Sequence, residues 1–376
     1  MGRRGPKSAA LSGIRTLPRR ISSRLIHRAH NSPHIQKTLD PDCPACDPSL
    51  YEPLAFESSI RFLTLRAASS KETQIACTLE VHDLAKGIPK YVALSYVWGP
   101  AFTKAKISVN GQQFDVSPNL FEALRHIRRR HSDLVVWIDA ICINQADILE
   151  RNHQVALMRR IYSGADYVIA WLGAATPDLD WDEPDAVVRD LASRTYWSRV
   201  WIIQEFVLGR AVVLQCGDMC LRCEDLDWLS EPPAVESLQM INIIIIRKFY
   251  SCNTSALTLA NALAIAYFSN ATDVRDKVYG ILGLFNSHQV LKRLKPDYNL
   301  SPCEVFCLAI RAVREIESNG SSSTMEGSSI ISDSDPQVTV DRFHDRASCD
   351  GKCGSGNLIS LLHGMRYIGP FNWCPS

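Results

Sequence analysis

The stretch that decides the fold is YVALSYVWG at residues 91–99, an apolar run that a Gly-Pro pair then stops. The runs LVVWIDAICI at 134–143 and YVIAWL at 167–172 have the same character. Apolar runs of this length, rich in Val, Ile and aromatic residues, predict strands of a sheet that is covered on both faces. The intervening segments 117–130 and 147–165 place apolar residues at helical spacing. This alternation predicts an α/β fold with a parallel sheet, right-handed crossovers and flanking helices.

Elements on either side extend this core. Residues 106–116 contain Asn110-Gly111 between two short strand-like runs, which predicts a hairpin with a type I′ turn. A helix with a break is expected over 185–208. Strands are further expected at 59–67, 75–84 and 211–215, and later helices at 254–268, 275–284 and 302–317.

Composition divides the chain into four parts. The first 39 residues hold nine Lys and Arg and no acid, so we expect a basic disordered arm and linker over 1–50. A mitochondrial transit peptide fits the same composition. Residues 51–215 form the expected α/β domain and 216–317 a mainly helical extension. The Ser- and Gly-rich, Cys-containing tail 318–376 is expected to be disordered.

Charge and hydropathy exclude several classes of protein. A net charge of +1 argues against a nucleic-acid binder, and no apolar run is long enough to span a membrane. The 13 cysteines are odd in number and scattered, which favours reduced thiols and a cytoplasmic protein, with mitochondrial import as the alternative. The absence of a GxGxxG or phosphate-loop motif argues against a dehydrogenase or an NTPase.

In an open parallel sheet, ligands bind beyond the carboxyl ends of the strands. The sequence places Ser95, Trp98, Gly99, Asp139 and Asn144 at these ends, and we predict that they line a pocket. Asp139 stands inside an apolar run, where a carboxylate is either functional or held in a structural ion pair. Asn144 is alternatively part of the cap of the next helix. Most of the tryptophans are expected in the core, although a stacking platform for a planar ligand is open.

Glu205 is the sharpest single candidate. It lies in YWSRVWIIQEFVLG, close to Trp201 and Leu208 at helical spacing. Desolvation on an apolar helix face strengthens the interaction of a carboxylate with nearby cations, which suits a catalytic group. The alternative is the edge of an amphipathic helix, with Glu205 paired to a surface arginine.

Two further groups of residues allow a chemical role. Cys43 and Cys46, like Cys220 and Cys223, have the two-residue spacing of zinc ligands, but the pairs are far apart in the chain. Cys216 with Cys220, Cys223 and a remote histidine is the other possible zinc set. We expect no metal site and reduced thiols. The acids in DVRDK at 273–277 fit a structural role at the start of a helix.

Several motifs together resemble the HET domain, the heterokaryon incompatibility domain of filamentous fungi. The motifs are YVALSYVWG at 91–99, VVWIDAICINQ at 135–145, ERNHQVALMRRIY at 150–162, VIAWLG at 168–173 and SRVWIIQEFVLGR at 198–210. ATDVRDKVYGILGL at 271–284 and PDYNLSPCEVF at 296–306 resemble the downstream part of such proteins. The resemblance covers about 220 residues in the family's order and leaves out both termini.

The resemblance implies nonself recognition and programmed cell death signalling through protein partners or self-association. It also implies a TIR/flavodoxin-like fold, since HET domains are thought to be remote relatives of TIR domains. The segment SRVWIIQE is similar to the TIR helix whose glutamate supports NAD cleavage, and the match falls on Glu205. NAD is then a possible substrate, and no cofactor is otherwise expected. Because nicotinamide leaves from a cationic ring, one carboxylate that stabilises the ribosyl cation is sufficient for this reaction.

The sequence therefore supports three functions. The first is a signalling module of nonself recognition that acts by protein contact. The second is a TIR-type NAD glycohydrolase that uses Glu205, and the third is a zinc-binding adaptor.

Overall fold

The computed structural model describes residues 50–55, 57–99, 103–225, 238–251, 257–285, 290 and 293–321. The basic N-terminal arm and the tail from residue 322 lie outside these described residues, so the predictions made for them stay predictions. The chain divides into two units. The first contains the residues up to Trp197 together with Leu208–Ile243, and the second contains Ser198–Val207 and the residues from Ile244 onward.

Within the described part of the first unit, nine strands form one mixed sheet. They are β1 Ser59–Leu65, β2 Ala76–Asp83, β3 Val92–Tyr96, β4 Ala105–Val109, β5 Gln112–Val116, β6 Leu134–Trp137, β7 Tyr167–Trp171, β8 Val212–Cys216 and β9 Met219–Arg222. Their spatial order is β5-β4-β2-β1-β6-β3-β7-β8-β9. The four neighbours β6, β3, β7 and β8 are parallel. The expected α/β class with flanking helices is confirmed.

The predicted parallel arrangement does not extend to the two sides of this core, where the sheet is mixed. β1 pairs antiparallel with both β2 and β6, β4 with β5, and β8 with β9. Two-residue turns account for β4–β5 and β8–β9, because strands joined by a tight turn return antiparallel, whereas parallel neighbours need a long crossover. The β4–β5 turn has the predicted type I′ character, with positive φ at Asn110 (50°) and Gly111 (81°).

The described part of the first unit contains four α-helices, and the first and third of them begin at side-chain caps that the sequence supplies. They are α1 Pro118–Ile127, α2 Asp139–Cys142, α3 Ile148–Gly164 and α4 Pro184–Ser193. The Ser117 hydroxyl accepts from the Leu120 amide at the start of α1. Asp147 accepts from the amides of Leu149 and Glu150 at the start of α3. Such caps stabilise a helix by about 1 kcal/mol each.

The predicted strand over 134–143 is wrong in its second half. β6 ends at Trp137, and the chain turns into α2 at Asp139. The amides of Ile141 and Cys142 bond back to the Ile138 carbonyl, and the Asp139 carboxylate accepts from the Ala140 amide. An acid is favoured in the first turn of a helix, so Asp139 ends the strand instead of continuing it.

The described part of the second unit is helical, as predicted for the later part of the chain. It contains α7 Leu259–Tyr267, α8 Asp276–Tyr279 and α9 Pro302–Ser321. Two helices, α5 Ile202–Leu208 and α6 Leu238–Ser251, contribute residues to both units. Strand β9 lies beyond the boundary expected at residue 215, because the tight turn after β8 returns the chain along the sheet. No helix in the described ranges has the length and apolarity that crossing a bilayer requires.

Candidate functional site

The parallel core of the first unit positions the candidate site. Numbered by their order in the chain, the strands β6, β3, β7 and β8 lie in the spatial order 2-1-3-4. This is the order of flavodoxin-like doubly wound sheets, in which ligands bind where the first and third strands diverge. The corresponding place here is the carboxyl ends of β3 and β7.

Ser95 is part of β3 and is fully buried. Its Oγ lies 2.7 Å from the hydroxyl of Tyr196, which is also buried. This pair of hydroxyl groups satisfies both side chains inside the first unit. Ser95 therefore stabilises the end of β3 from inside the first unit, and its hydroxyl is not exposed at the surface.

Asn119, which the sequence reasoning missed, links the ends of the two strands. Its amide Nδ2 donates to the Val97 carbonyl at 2.6 Å, and its Oδ1 accepts from the Trp171 indole at 2.9 Å. The signal that could have found it is a polar side chain in the first turn of a helix that follows the β4–β5 hairpin. A helix in a βαβ unit begins at the carboxyl edge of the sheet, so this turn belongs to the candidate site.

Trp98 is the exposed part of the site, and the buried Asp139 anchors it. The Trp98 indole Nε1 donates to Asp139 Oδ2 at 2.8 Å, while Asp139 Oδ1 accepts from the Ala140 amide at 2.8 Å. The Trp98 side chain is 39% exposed, although Asp139 is buried. Gly99, with φ of 77°, lets the chain turn away directly after the ring. An anchored aromatic ring is therefore open to a ligand or partner, next to a carboxylate.

Asn144 belongs to the turn between α2 and α3. Its backbone N–H donates to Glu150 Oε1 at 2.6 Å, and its side-chain oxygen accepts from the Ala146 amide. Gln145 Nε2 donates to the Asp139 carbonyl at 2.9 Å. These bonds are those of a turn before a helix, which is the alternative that the sequence left open for Asn144.

A buried ion pair holds this turn against the sheet. Arg61 on β1 is buried, and its Nη1 and Nη2 lie 2.6 and 3.0 Å from the two carboxylate oxygens of Glu150. Arg61 Nη1 also donates to the Cys142 carbonyl at 3.3 Å. The Glu150 carboxylate, three residues after Asp147, therefore binds Arg61 and the Asn144 amide, and does not form a capping box with Asp147. A bidentate buried pair of this kind is costly to break, at about 3–5 kcal/mol.

The same turn carries two exposed apolar side chains. Ile148 is 42% and Leu149 is 74% exposed, in the first turn of α3. With Trp98 they make up three of the five large apolar side chains that are exposed in the described residues. We call Trp98, Ile148 and Leu149 the edge patch. Ile148 and Leu149 share one segment, and Trp98 follows the end of β3. Exposed apolar residues at one edge of a sheet are candidates for a contact surface.

Glu205 belongs to the second unit, whereas the five predicted pocket residues belong to the first. Its side chain is fully buried in α5, and its Oε1 lies 3.7 Å from Arg199 Nη1. The Arg199 side chain is itself only 15% exposed. Glu205 is thus part of an internal ion pair, and not at the edge of an amphipathic helix with a surface arginine as partner.

The DVRDK motif builds a second buried network in that unit. Asp276 accepts from the Trp201 indole at 3.0 Å and from the Tyr298 hydroxyl at 2.6 Å. Burial raises the pKa of Asp276 above its ordinary value, although both hydrogen bonds act in the opposite direction. Arg275 pairs with Asp273 and donates to the carbonyls of Tyr298 and Leu300. The motif therefore joins α8 to the chain that leads into α9.

The cysteines of the β8–β9 hairpin give no metal geometry. Burial raises the pKa of the Cys216 thiol to about 12 and that of Cys220 to about 11, which disfavours the thiolate that a metal needs. Among the described residues, no group of three or more His, Cys, Asp or Glu is placed to hold a metal ion. Cys43 and Cys46 lie outside those residues.

Comparisons with known proteins agree on one family. Residues 91–187 match the family model described as "Heterokaryon incompatibility protein (HET)". The chain is also 29% identical to "Heterokaryon incompatibility protein 6, OR allele" of Neurospora crassa, over 68% of this chain and 51% of that protein. The chain therefore spans about half the length of this curated relative. No solved structure matches it.

Proposed function

We propose that the protein acts in nonself recognition between fungal cells, because residues 91–187 match the heterokaryon incompatibility (HET) family model. It binds a protein partner through the edge patch, and binding starts a cell death signal. The observation that carries this proposal is the position of the patch. Trp98, Ile148 and Leu149 all lie inside the matched region, at the carboxyl edge of its parallel strands.

The geometry of the patch supports a protein partner. Exposed aromatic and aliphatic side chains on a rigid frame are typical anchors of protein interfaces. The frame here consists of the Trp98–Asp139 hydrogen bond and the Arg61–Glu150 ion pair. Because both hold the segment from Asp139 to Leu149, little conformational entropy is lost when a partner binds.

The test is expression of the full chain from an inducible promoter in a filamentous fungus. We expect wild-type protein to reduce the number of viable colonies at least tenfold, and Trp98→Ala to restore viability at equal protein level. Phe268→Ser is the matched control, because Phe268 is 60% exposed but belongs to the second unit. Equal viability of wild type and Trp98→Ala, at equal expression, rejects the edge patch as the active surface.

A second candidate function is TIR-type cleavage of NAD to ADP-ribose and nicotinamide, with water as the nucleophile. Two observations favour it: the 2-1-3-4 order of the parallel strands, and an exposed indole beside the Asp139 carboxylate. An aromatic face suits the nicotinamide ring, and a carboxylate stabilises the oxocarbenium-like transition state. Either Glu205, as the family resemblance implies, or Asp139 would supply that carboxylate.

The assay for this candidate is release of nicotinamide by the purified full chain at high protein concentration. Turnover that is lost in Asp139→Asn and kept in Glu205→Gln assigns the reaction to the edge of the sheet. The reverse pattern assigns it to Glu205, provided that the variant keeps its thermal unfolding temperature. No turnover by assembled wild-type protein rejects the enzymatic candidate.

The zinc-binding adaptor remains a third, weaker proposal. It rests on the spacing of Cys43 and Cys46 and of Cys220 and Cys223 alone. Metal analysis of the purified full chain decides it, because a structural zinc site requires about one equivalent of zinc per chain.

A further inference from the structure

We propose that the chain's own basic segment, residues 11–28, covers the edge patch when no partner is bound. This inference rests on the proposed function and deepens it, because a partner that uses the patch must then displace the segment. The arrangement is an autoinhibitory contact within one chain. Three observations support it: the character of the patch, the place where the N-terminal part of the chain joins the described structure, and the composition of the segment.

The patch combines apolar side chains with acidic neighbours. Leu149 is the most exposed of the large apolar side chains in the described residues. Asp147, two residues earlier, is exposed and carries its carboxylate at the start of α3. Glu52 is exposed as well, and its backbone carbonyl accepts from Arg61, the partner of Glu150. A ligand that is complementary to this surface is both aliphatic and cationic.

The N-terminal part of the chain joins the described structure at this surface. The Tyr51 ring lies 5.0 Å from the Arg61 guanidinium carbon, and Arg61 Nη2 donates to the Glu52 carbonyl at 2.5 Å. The same guanidinium binds Glu150, which directly follows Leu149 in the chain. Everything before Leu50 is therefore tethered beside the first turn of α3.

The length of the tether permits the contact. The 22 residues from 29 to 50 span at most about 75 Å when fully extended. A tether that can span the distance gives the attached ligand an effective concentration on the order of millimolar. A contact that is weak between separate molecules is therefore well populated within one chain.

The composition of the segment matches the patch. Residues 11–28 read LSGIRTLPRRISSRLIHR, in which six aliphatic residues alternate with five arginines and no acid is present. The aliphatic side chains are suited to Ile148 and Leu149, and the arginines to Asp147 and Glu52. Because the charges lie at the rim, the contact should weaken with rising salt concentration.

The test is hydrogen–deuterium exchange of the full chain, read in peptides that cover residues 147–157. One variant replaces Arg19, Arg20, Arg24 and Arg28 by Glu. We expect exchange in these peptides to become at least about threefold faster than in wild type at low salt, because the first turn of α3 loses its cover. Wild type should approach the variant at about 0.5 M salt. Leu149→Ser, at a site exposed enough to keep the fold, should give the same acceleration.

A matched control variant carries the same change in charge on exposed positions of the first unit, with Lys90, Lys104, Arg130 and Arg189 replaced by Glu. It should exchange like wild type. Equal exchange in wild type and in the arm variant overturns the proposal. Protection that disappears on dilution also overturns it, because a second copy of the chain would then be the cover. Neither result bears on the viability test, so failure of this inference and failure of the proposed function are distinguishable.

Discussion

Asp139 and Glu205 are both acids inside apolar stretches of the sequence, yet the two units use them in opposite ways. In the first unit, Asp139 anchors an indole that remains open to its surroundings. In the second unit, Glu205 is fully buried and lies 3.7 Å from an arginine that is itself mostly covered. The comparison shows that an acid in an apolar run has a carboxylate held by specific partners. The neighbours of that carboxylate decide whether it supports an exposed surface or packs inside the protein.

The largest effect expected from this contrast is the loss of stability in Glu205→Ala. The substitution removes the carboxylate that lies 3.7 Å from the mostly covered Arg199 guanidinium, which should lower the free energy of unfolding by about 3–5 kcal/mol. Urea unfolding followed by circular dichroism measures this. Asp115→Ala is the control, since its pair with Lys106 is exposed and should contribute less than about 1 kcal/mol. A loss below that value for Glu205→Ala would contradict the internal role.

The next prediction concerns the pH dependence of stability, which should have opposite signs for an aspartate in each unit. The pKa of Asp276 is raised by burial, so the folded state binds its proton more tightly than the unfolded state does. Its contribution to the free energy of unfolding is therefore lost as pH rises from the ordinary aspartate pKa through the raised one. The difference in stability between wild type and Asp276→Asn, measured in urea at several pH values, should decrease with rising pH in that window.

Asp133 in the first unit is the control, because its contribution to stability should change with pH in the opposite direction. The Ala67 amide and Arg66 lower the pKa of Asp133, so its contribution is lost as pH falls through the lowered value. The difference between wild type and Asp133→Asn should therefore shrink towards acid pH. A stability difference for Asp276→Asn that stays constant with pH would show that its carboxylate is not strained by burial.

A smaller change in stability is expected at the edge of the sheet. Asp139→Asn removes the charge and leaves one side-chain oxygen, which can accept from Trp98 or from Ala140 but not from both, so the free energy of unfolding should fall by about 1–2 kcal/mol. Thermal unfolding measures the change. If Asp139 holds the edge patch in its active arrangement, expression of the same variant should leave most colonies viable. If the Asp139→Asn variant reduces viability as strongly as wild type, the active surface lies elsewhere.

Leu149→Ser should have the smallest effect on stability, within about 0.5 kcal/mol, because the side chain is mostly exposed. Its effect on partner binding should nevertheless resemble that of Trp98→Ala. Denaturant midpoints and the viability test together check this. A clear destabilisation by Leu149→Ser would mean that the side chain packs inside the protein, against the description of the edge patch.

Local chemistry let the sequence determine most of the elements. The apolar runs produced β3 and β7, the Asn110-Gly111 turn produced the β4–β5 hairpin, and Asp147 produced the start of α3. Each of these depends on neighbours within a few residues, so a single segment contains the necessary information. The HET motifs were likewise readable because they are continuous stretches, and the family match falls on the same region.

Only the tertiary structure decided what depends on distant partners. That Asn119 joins two strand ends, that Arg61 pairs with Glu150 and that Glu205 lies beside Arg199 follow from how the chain folds back on itself. The mixed character of the sheet arose in the same way, since β1 pairs with β6 across 69 residues of chain, Leu65 to Leu134. Sequence patterns report how much each residue prefers to be buried, whereas the partner that satisfies a buried charge is fixed only when the chain brings the two together.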